Sequence, residues 1–203
     1  MILLGIVLTI GTALFVAAEF SMVALDPSQV EGRVRRKEKG AHGVLKALRH
    51  LSTELSGAQV GITLTTILLG YTTQSALTSL LAKMLQDIHL ATSLATAIAV
   101  VVALVLVNAF SMVFGELFPK NLALAKPFEV ARTVTPLQRA FTILFKPVIV
   151  VLNGISNQVV RALGIEPLEQ LSSARSASEL TAMVRHSAQE GTLDLSTATI
   201  FTR

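Results

Sequence analysis

Asn108-Ala-Phe-Ser-Met-Val-Phe-Gly-Glu-Leu-Phe-Pro-Lys120 closes an apolar run that begins near Thr92, and its reading decides the fold. A run of that length and composition is a membrane-spanning helix, with Glu116 in or near its inner end. A carboxylate at that depth is costly unless something pairs with it or coordinates to it, so Glu116 is the first candidate for a functional residue. The alternative is a solvated acid just past the apolar core, paired with Lys120 at the i, i+4 spacing of a helix. Asn108, Met112 and Glu116 share one helical face, with Ser111 and Gly115 on a neighbouring one. Gly115 loosens the helix and offers its carbonyl. Pro119 lacks an N–H and is expected to obstruct the helix, leaving carbonyls one turn earlier without donors. An acid, an amide and free carbonyls together make an oxygen-rich pocket.

The whole chain supports the membrane reading. Of 203 residues, 52 % are hydrophobic and only 15 % charged, too apolar a balance for an ordinary soluble domain. The net charge is +4, but its basic residues cluster in segments between apolar runs. That is the pattern of orientation signals, not of a nucleic-acid surface. The absence of cysteine excludes disulfides, thiolate metal sites and cysteine nucleophiles. The four histidines, His42, His50, His89 and His186, lie in polar segments without zinc-site spacing.

Three spans are expected, over about 1–25, 59–85 and 93–118. The first lacks a basic leader and is too long for a signal-peptide core, so it reads as a retained helix. Its inner end carries Glu19 and Ser21 among small residues that let backbones approach closely. The second is heavy in hydroxyls and amides, and Gln59, Thr63 and Thr66 fall on one face expected to point inward. Between the first two spans stand Arg33, Arg35, Arg36, Lys37, Lys39, Lys46 and Arg49. By the positive-inside rule this segment is cytoplasmic and the amino terminus outside, and Lys126, Arg132 and Arg139 return the chain to the cytoplasm.

Amphipathic surface helices are expected over about 41–55, where Val44, Leu45, Leu48, Leu51 and Leu55 keep helical spacing, and over 127–163. The latter is too interrupted by Lys146-Pro147, Asn153, Gly154 and Asn157 for a confident span. The fold class is therefore an all-α membrane protein, with a transmembrane domain over 1–165. A polar cytoplasmic linker and helical segment is expected over 166–203.

Four stretches in order carry a resemblance: AAEFSMVALD at 17–26, GAQVGITLTTILLG at 57–70, GELFPKNLALAKP at 115–127 and RSASELTAMVRHSAQEGTLD at 175–194. Together they resemble the membrane domain of the CNNM/CorC family of magnesium transporters. The resemblance implies a homodimer in the plasma membrane with three spans per subunit. It also implies nucleotide-binding CBS domains beyond this chain, and magnesium export coupled to sodium entry. Gly115, Glu116, Pro119 and Lys120 match the family's glycine-acid-x-x-proline pattern. Many relatives carry asparagine where this chain has Ile62 or Thr66, a place a threonine hydroxyl can fill.

Magnesium prefers hard oxygen ligands in octahedral geometry and gives up water reluctantly. The candidate ligands are Glu116, Gly115, Asn108, Ser21, Thr63 and Thr66. One carboxylate among neutral oxygens would bind weakly, as a carried ion requires. A regulatory or scaffold module whose polar stripes serve only packing, and a magnesium channel, are the competing readings. A membrane enzyme lacks a nucleophile-base constellation.

Overall fold

In the computed structural model, which describes residues 1–165, every regular element is helical. The helices are α1 (Ile2–Val23), α2 (Pro27–Arg35), α3 (Ala41–Leu48), α4 (Leu51–Leu69), α5 (Ser75–Asp87), α6 (Thr92–Phe110), α7 (Phe118–Ala125), α8 (Pro127–Leu144) and α9 (Lys146–Ala162). Two π-helical segments, Gly70–Gln74 and Ser111–Leu117, join α4 to α5 and α6 to α7 without a break in helical backbone.

Two helical stretches are long and apolar enough to cross a membrane, Leu3–Val23 and Thr92–Ala125. A third crossing arises by the same measure if α8 and α9, bent by 79° between Leu144 and Lys146, act together. The break falls at Phe145, and Pro147 stands in the first turn of α9, where its missing N–H is no loss and its fixed φ suits a new helix start. The expected span over 59–85 lies inside the long α4–α5 helix, but its load of threonine and glutamine keeps it below the apolarity of the other two. The protein is an all-α membrane protein. The polar linker and helical segment expected over 166–203 lie outside the described residues.

α1 is the element the bundle is built on. It runs antiparallel to α4, since Gly5 faces Thr73, Gly11 faces Thr65 and Phe15 faces Gly61. Glycine admits these approaches because it has no Cβ: one added at Gly61 would lie 2.7 Å from the Phe15 ring. α1 runs parallel to the third helical stretch, with Gly115 against Thr9 and Thr12 and Lys120 above Phe20. The buried face of that stretch recurs every fourth residue, at Ala95, Ala99, Ala103, Val107, Ser111, Gly115, Pro119 and Ala123. Small side chains there allow close backbone packing.

The basic end of the bundle holds a conventional core. Ala18 and Met22 of α1 pack with Val30, Val44, Leu45, Leu48, Leu51, Phe128 and Ala131. Asp26 starts α2 by accepting the Ser28 backbone N–H at 2.8 Å, with Pro27 in the first turn. Gly40, at φ +84°, sits before α3 in a conformation other residues rarely adopt, with its α-carbon facing the Arg132 side chain. The expected surface helix over 41–55 is two elements, broken at Arg49 and His50. Its hydrophobic spacing runs through the break because Leu51 enters the same core as Leu48.

Candidate functional site

The Ser111–Leu117 segment is π-helical, wider than the α-helix on either side. Such bulges arise where the i→i−4 ladder is disturbed, and they are frequent at functional sites. Pro119 supplies the disturbance, since it offers no N–H to the carbonyls one turn before it. The expectation that Pro119 obstructs the helix is corrected here. The π segment absorbs the proline and the helix continues to Ala125. Glu116 is therefore followed by more than two further helical turns, and its neighbour Gly115 lies beside Thr9 and Thr12, midway along α1.

Around Gly115 the structure gathers hydroxyls. Ser111 Oγ and the side chains of Thr9 and Thr12 are its nearest neighbours, at 3.3 to 3.6 Å from where a Cβ would stand. Ser111, Thr9 and Thr12 are buried. Thr12 Oγ1 lies 2.8 Å from Thr65 Oγ1 of α4, and each hydroxyl also reaches a carbonyl of its own helix. Thr9 donates to the Gly5 carbonyl at 2.9 Å. This is a hydroxyl-rich seam joining the first helix to both other long helical stretches.

The six candidate residues fall in different places. Ser21 and Gly115 are buried, with Ser21 Oγ donating to the Ala18 carbonyl at 3.2 Å. Glu116 and Asn108 are exposed on the face beside the buried stripe. Asn108 Nδ2 donates to the Leu104 carbonyl at 2.8 Å, which leaves its side-chain oxygen pointing away from its own helix ladder. Glu116 makes no hydrogen bond or ion pair among the described residues. The pairing with Lys120 is not formed; the Lys120 ammonium stands 4.7 Å from the centre of the Phe20 ring, a cation–π contact.

Thr63 and Thr66 are exposed, and Thr63 lines a groove towards α9. The inward face of α4 is instead Gly57, Ala58, Gly61, Thr65 and Leu69. Glycine and alanine decide that face because α1 must approach closely, and a hydroxyl stripe one residue round is left outside. Thr65 is the hydroxyl that faces α1, and the signal for that placement is its i, i+4 relation to Gly61.

Sequence reasoning also missed a buried acid. Glu54, in the first turn of α4 and outside the expected 59–85 span, is only 5 % exposed. Thr142 Oγ1 donates to it at 2.8 Å, Arg139 Nε lies 3.5 Å away, and Gln138 Nε2 donates to its backbone carbonyl at 3.0 Å. Burial pushes the Glu54 carboxyl above its ordinary range, and the Thr142 hydrogen bond and the Arg139 charge oppose that shift. The signal was present as Gln138 and Thr142, polar residues four apart in an amphipathic helix. On α1, Glu19 is half-buried and hydrogen-bonded to the Gln59 side chain. Among the described residues no three His, Asp or Glu side chains cluster as a metal site.

The family model described as the Cyclin M transmembrane N-terminal domain, CNNM, matches residues 3–197. The chain belongs to the CNNM family. Among its relatives, the UPF0053 protein MT1890 of Mycobacterium tuberculosis is 45 % identical over the whole chain, which covers 44 % of that protein. A second Mycobacterium tuberculosis protein, uncharacterized protein MT1889, is 33 % identical over the whole chain, covering 57 % of the relative. The UPF0053 protein YrkA of Bacillus subtilis is 30 % identical over 92 % of the chain and 43 % of the relative. The chain thus spans about half the length of these relatives. The resemblance carried by the four sequence stretches is borne out, and the matched domain of this CNNM-family chain is its membrane domain.

Proposed function

We propose that this CNNM-family membrane domain carries magnesium across the plasma membrane, exporting it against sodium entry, with the ion held beside the π segment. One observation carries the reading: a carboxylate, Glu116, unpaired among the described residues and set by a π bulge partway along a 34-residue apolar helix. A lone carboxylate in such a helix needs a cation or a partner. The Gly115 carbonyl beside Glu116 supplies a neutral oxygen of the kind magnesium accepts, with retained waters completing an octahedron. Asn108, about two turns back along the same helix, and Ser21, beside the Phe20–Lys120 contact, would act on the ion only through such waters. Thr63 and Thr66 are the residues of this proposal with the least support, since they stand away from the α1 seam.

The same observation bears on assembly. Asn108, Met112 and Glu116 form an exposed face on a single chain, and lipid is a poor cover for an amide and an acid. A homodimer that buries this face is the assembly proposed, with the amino terminus outside and the basic core on the cytoplasmic side. Nucleotide regulation would belong to CBS domains outside this chain.

Magnesium calorimetry on the detergent-purified chain, with size measured in parallel, tests the site. Binding by wild type and its loss in a Glu116→Ala protein of unchanged assembly supports the reading. Unchanged binding moves the ion elsewhere. A wild type that binds no magnesium transfers weight to a scaffold role. Saturable flux in liposomes that depends on an opposing sodium gradient separates a carrier from a channel.

A further inference from the structure

Two cavities between α4 and α9 share Ile149 and Asn153 in their walls. The first, of about 380 Å³, lies at the basic end of the bundle and is lined by Arg49, His50, Ser52, Thr53, Asn153 and Asn157. The second, of about 520 Å³, extends along the helices between an aliphatic wall of Val60, Leu64, Ile67 and Leu152 and polar side chains that include Gln59 and Ser156. One is polar and carries positive charge; the other is mixed, with more apolar than polar surface. No acidic side chain lines either.

The polar end is built from donors. Arg49 reaches Glu31 only at 3.7 Å and stays 67 % exposed, so its guanidinium keeps open donors. Asn153 Oδ1 accepts the Ser56 hydroxyl at 2.8 Å, which orients the amide and leaves its NH2 group to donate. His50, Ser52 and Thr53, at the start of α4, add side chains that can donate. The nearest buried acid, Glu54, is turned to Thr142 and Arg139 on α8.

A ligand matching both ends is an anion with a hydrocarbon tail, and the solvent of a membrane protein supplies one. We propose that this is a binding site for one anionic phospholipid, its phosphate among Arg49, His50 and Asn153 and an acyl chain along Val60, Leu64, Ile67 and Leu152. A free phosphate would fill the first cavity and leave the second unexplained. Basic pockets between helices beside a membrane surface hold anionic head groups by this combination of charge and hydrogen bonds. Neither cavity is lined by Glu116 or Gly115, and of the candidate magnesium ligands only Thr63 stands in their walls.

The chain has no tryptophan, so Leu152→Trp places a single fluorescent reporter in the groove. The purified protein is returned to phosphatidylcholine vesicles containing an equal mole fraction of either brominated-acyl phosphatidylglycerol or brominated-acyl phosphatidylcholine. Apparent affinity for the phosphatidylglycerol quencher should be about fivefold higher, the factor one basic side chain contributes near an anionic surface. Arg49→Gln in the same background should bring the two quenchers level. Ile67→Trp, at a position 63 % exposed, is the second reporter should Leu152→Trp not fold. Equal quenching by the two lipids in a folded reporter protein overturns the proposal. So does a preference that survives Arg49→Gln, or one abolished by inorganic phosphate, which would make the cavity a small-anion site.

Discussion

The Oγ1 atoms of Thr12 and Thr65 lie 2.8 Å apart, the hydrogen bond that keys α1 to α4 at the level where Gly115 packs. Each hydroxyl has one proton, yet both also reach carbonyls of their own helices, Leu8 for Thr12 and Gly61 for Thr65. One therefore donates across the pair and the other back to its own helix. Replacing either by valine keeps the shape and removes the bridge. A double-mutant cycle of Thr12→Val and Thr65→Val, read by thermal unfolding in detergent, should give a coupling of about 0.6 kcal/mol, the usual size for side-chain hydrogen bonds between membrane helices. Additive single effects would show that the two threonines only fill space.

The glycine contacts give a sharper steric test. A Cβ at Gly61 would stand 2.7 Å from Phe15 ring atoms, whereas one at Gly115 would meet nothing closer than Ser111 Oγ at 3.3 Å. Phe15 has little room to retreat, since its ring packs on Phe141 with centroids 4.6 Å apart. Gly61→Ala should therefore lower stability by about 1–3 kcal/mol, the range for overpacking a tight core. Gly115→Ala should cost less, and Phe15→Leu should restore part of the loss in Gly61→Ala. Equal melting temperatures for the two glycine variants would count against this helix register.

Much of this was legible from composition and spacing. The membrane class, the basic connecting segment and the π segment's acid and proline all stand in the sequence. What spacing could not show was which of two neighbouring stripes on α4 faces inward. Thr63 and Thr66 carry the more conspicuous chemistry, but Gly57 and Gly61 govern how near another helix can come. Pro119 misled for a related reason: a proline forbids one hydrogen bond, and a π segment satisfies the backbone without stopping the helix. Glu54 was hidden because its partners Gln138, Arg139 and Thr142 lie more than eighty residues away in sequence.

Glu54 should make stability depend on pH. Its carboxyl is raised above the ordinary 4.5, chiefly by burial, so the folded chain binds this proton more tightly than the unfolded chain does. The resulting stabilisation is full below the unfolded value and is lost as pH rises through the raised folded one. Between about pH 4.5 and neutrality, wild-type melting temperature should fall with rising pH in excess of a Glu54→Gln protein. Parallel curves for the two would mean that Glu54 does not titrate differently on folding.

The two acids of the long apolar helices should part company in function. Glu19 is already engaged, half-buried and hydrogen-bonded to Gln59, so Glu19→Gln keeps a polar group that can still meet that amide. Glu116 has no such partner among the described residues, and it stands on the π segment next to Gly115. Glu116→Gln replaces the one charged oxygen pair of the proposed site by a neutral amide, and loss of a hydrogen-bonded or coordinating charge generally costs more than loss of a neutral contact. Magnesium affinity and sodium-dependent flux should therefore drop by roughly tenfold or more in Glu116→Gln, a loss of at least about 1.4 kcal/mol, and change little in Glu19→Gln. Thermal unfolding of both proteins in detergent separates this from a general loss of fold. Equal losses of magnesium affinity at unchanged melting temperature would place both acids in one site, and an effect of Glu19→Gln alone would move the ion to the inner end of α1.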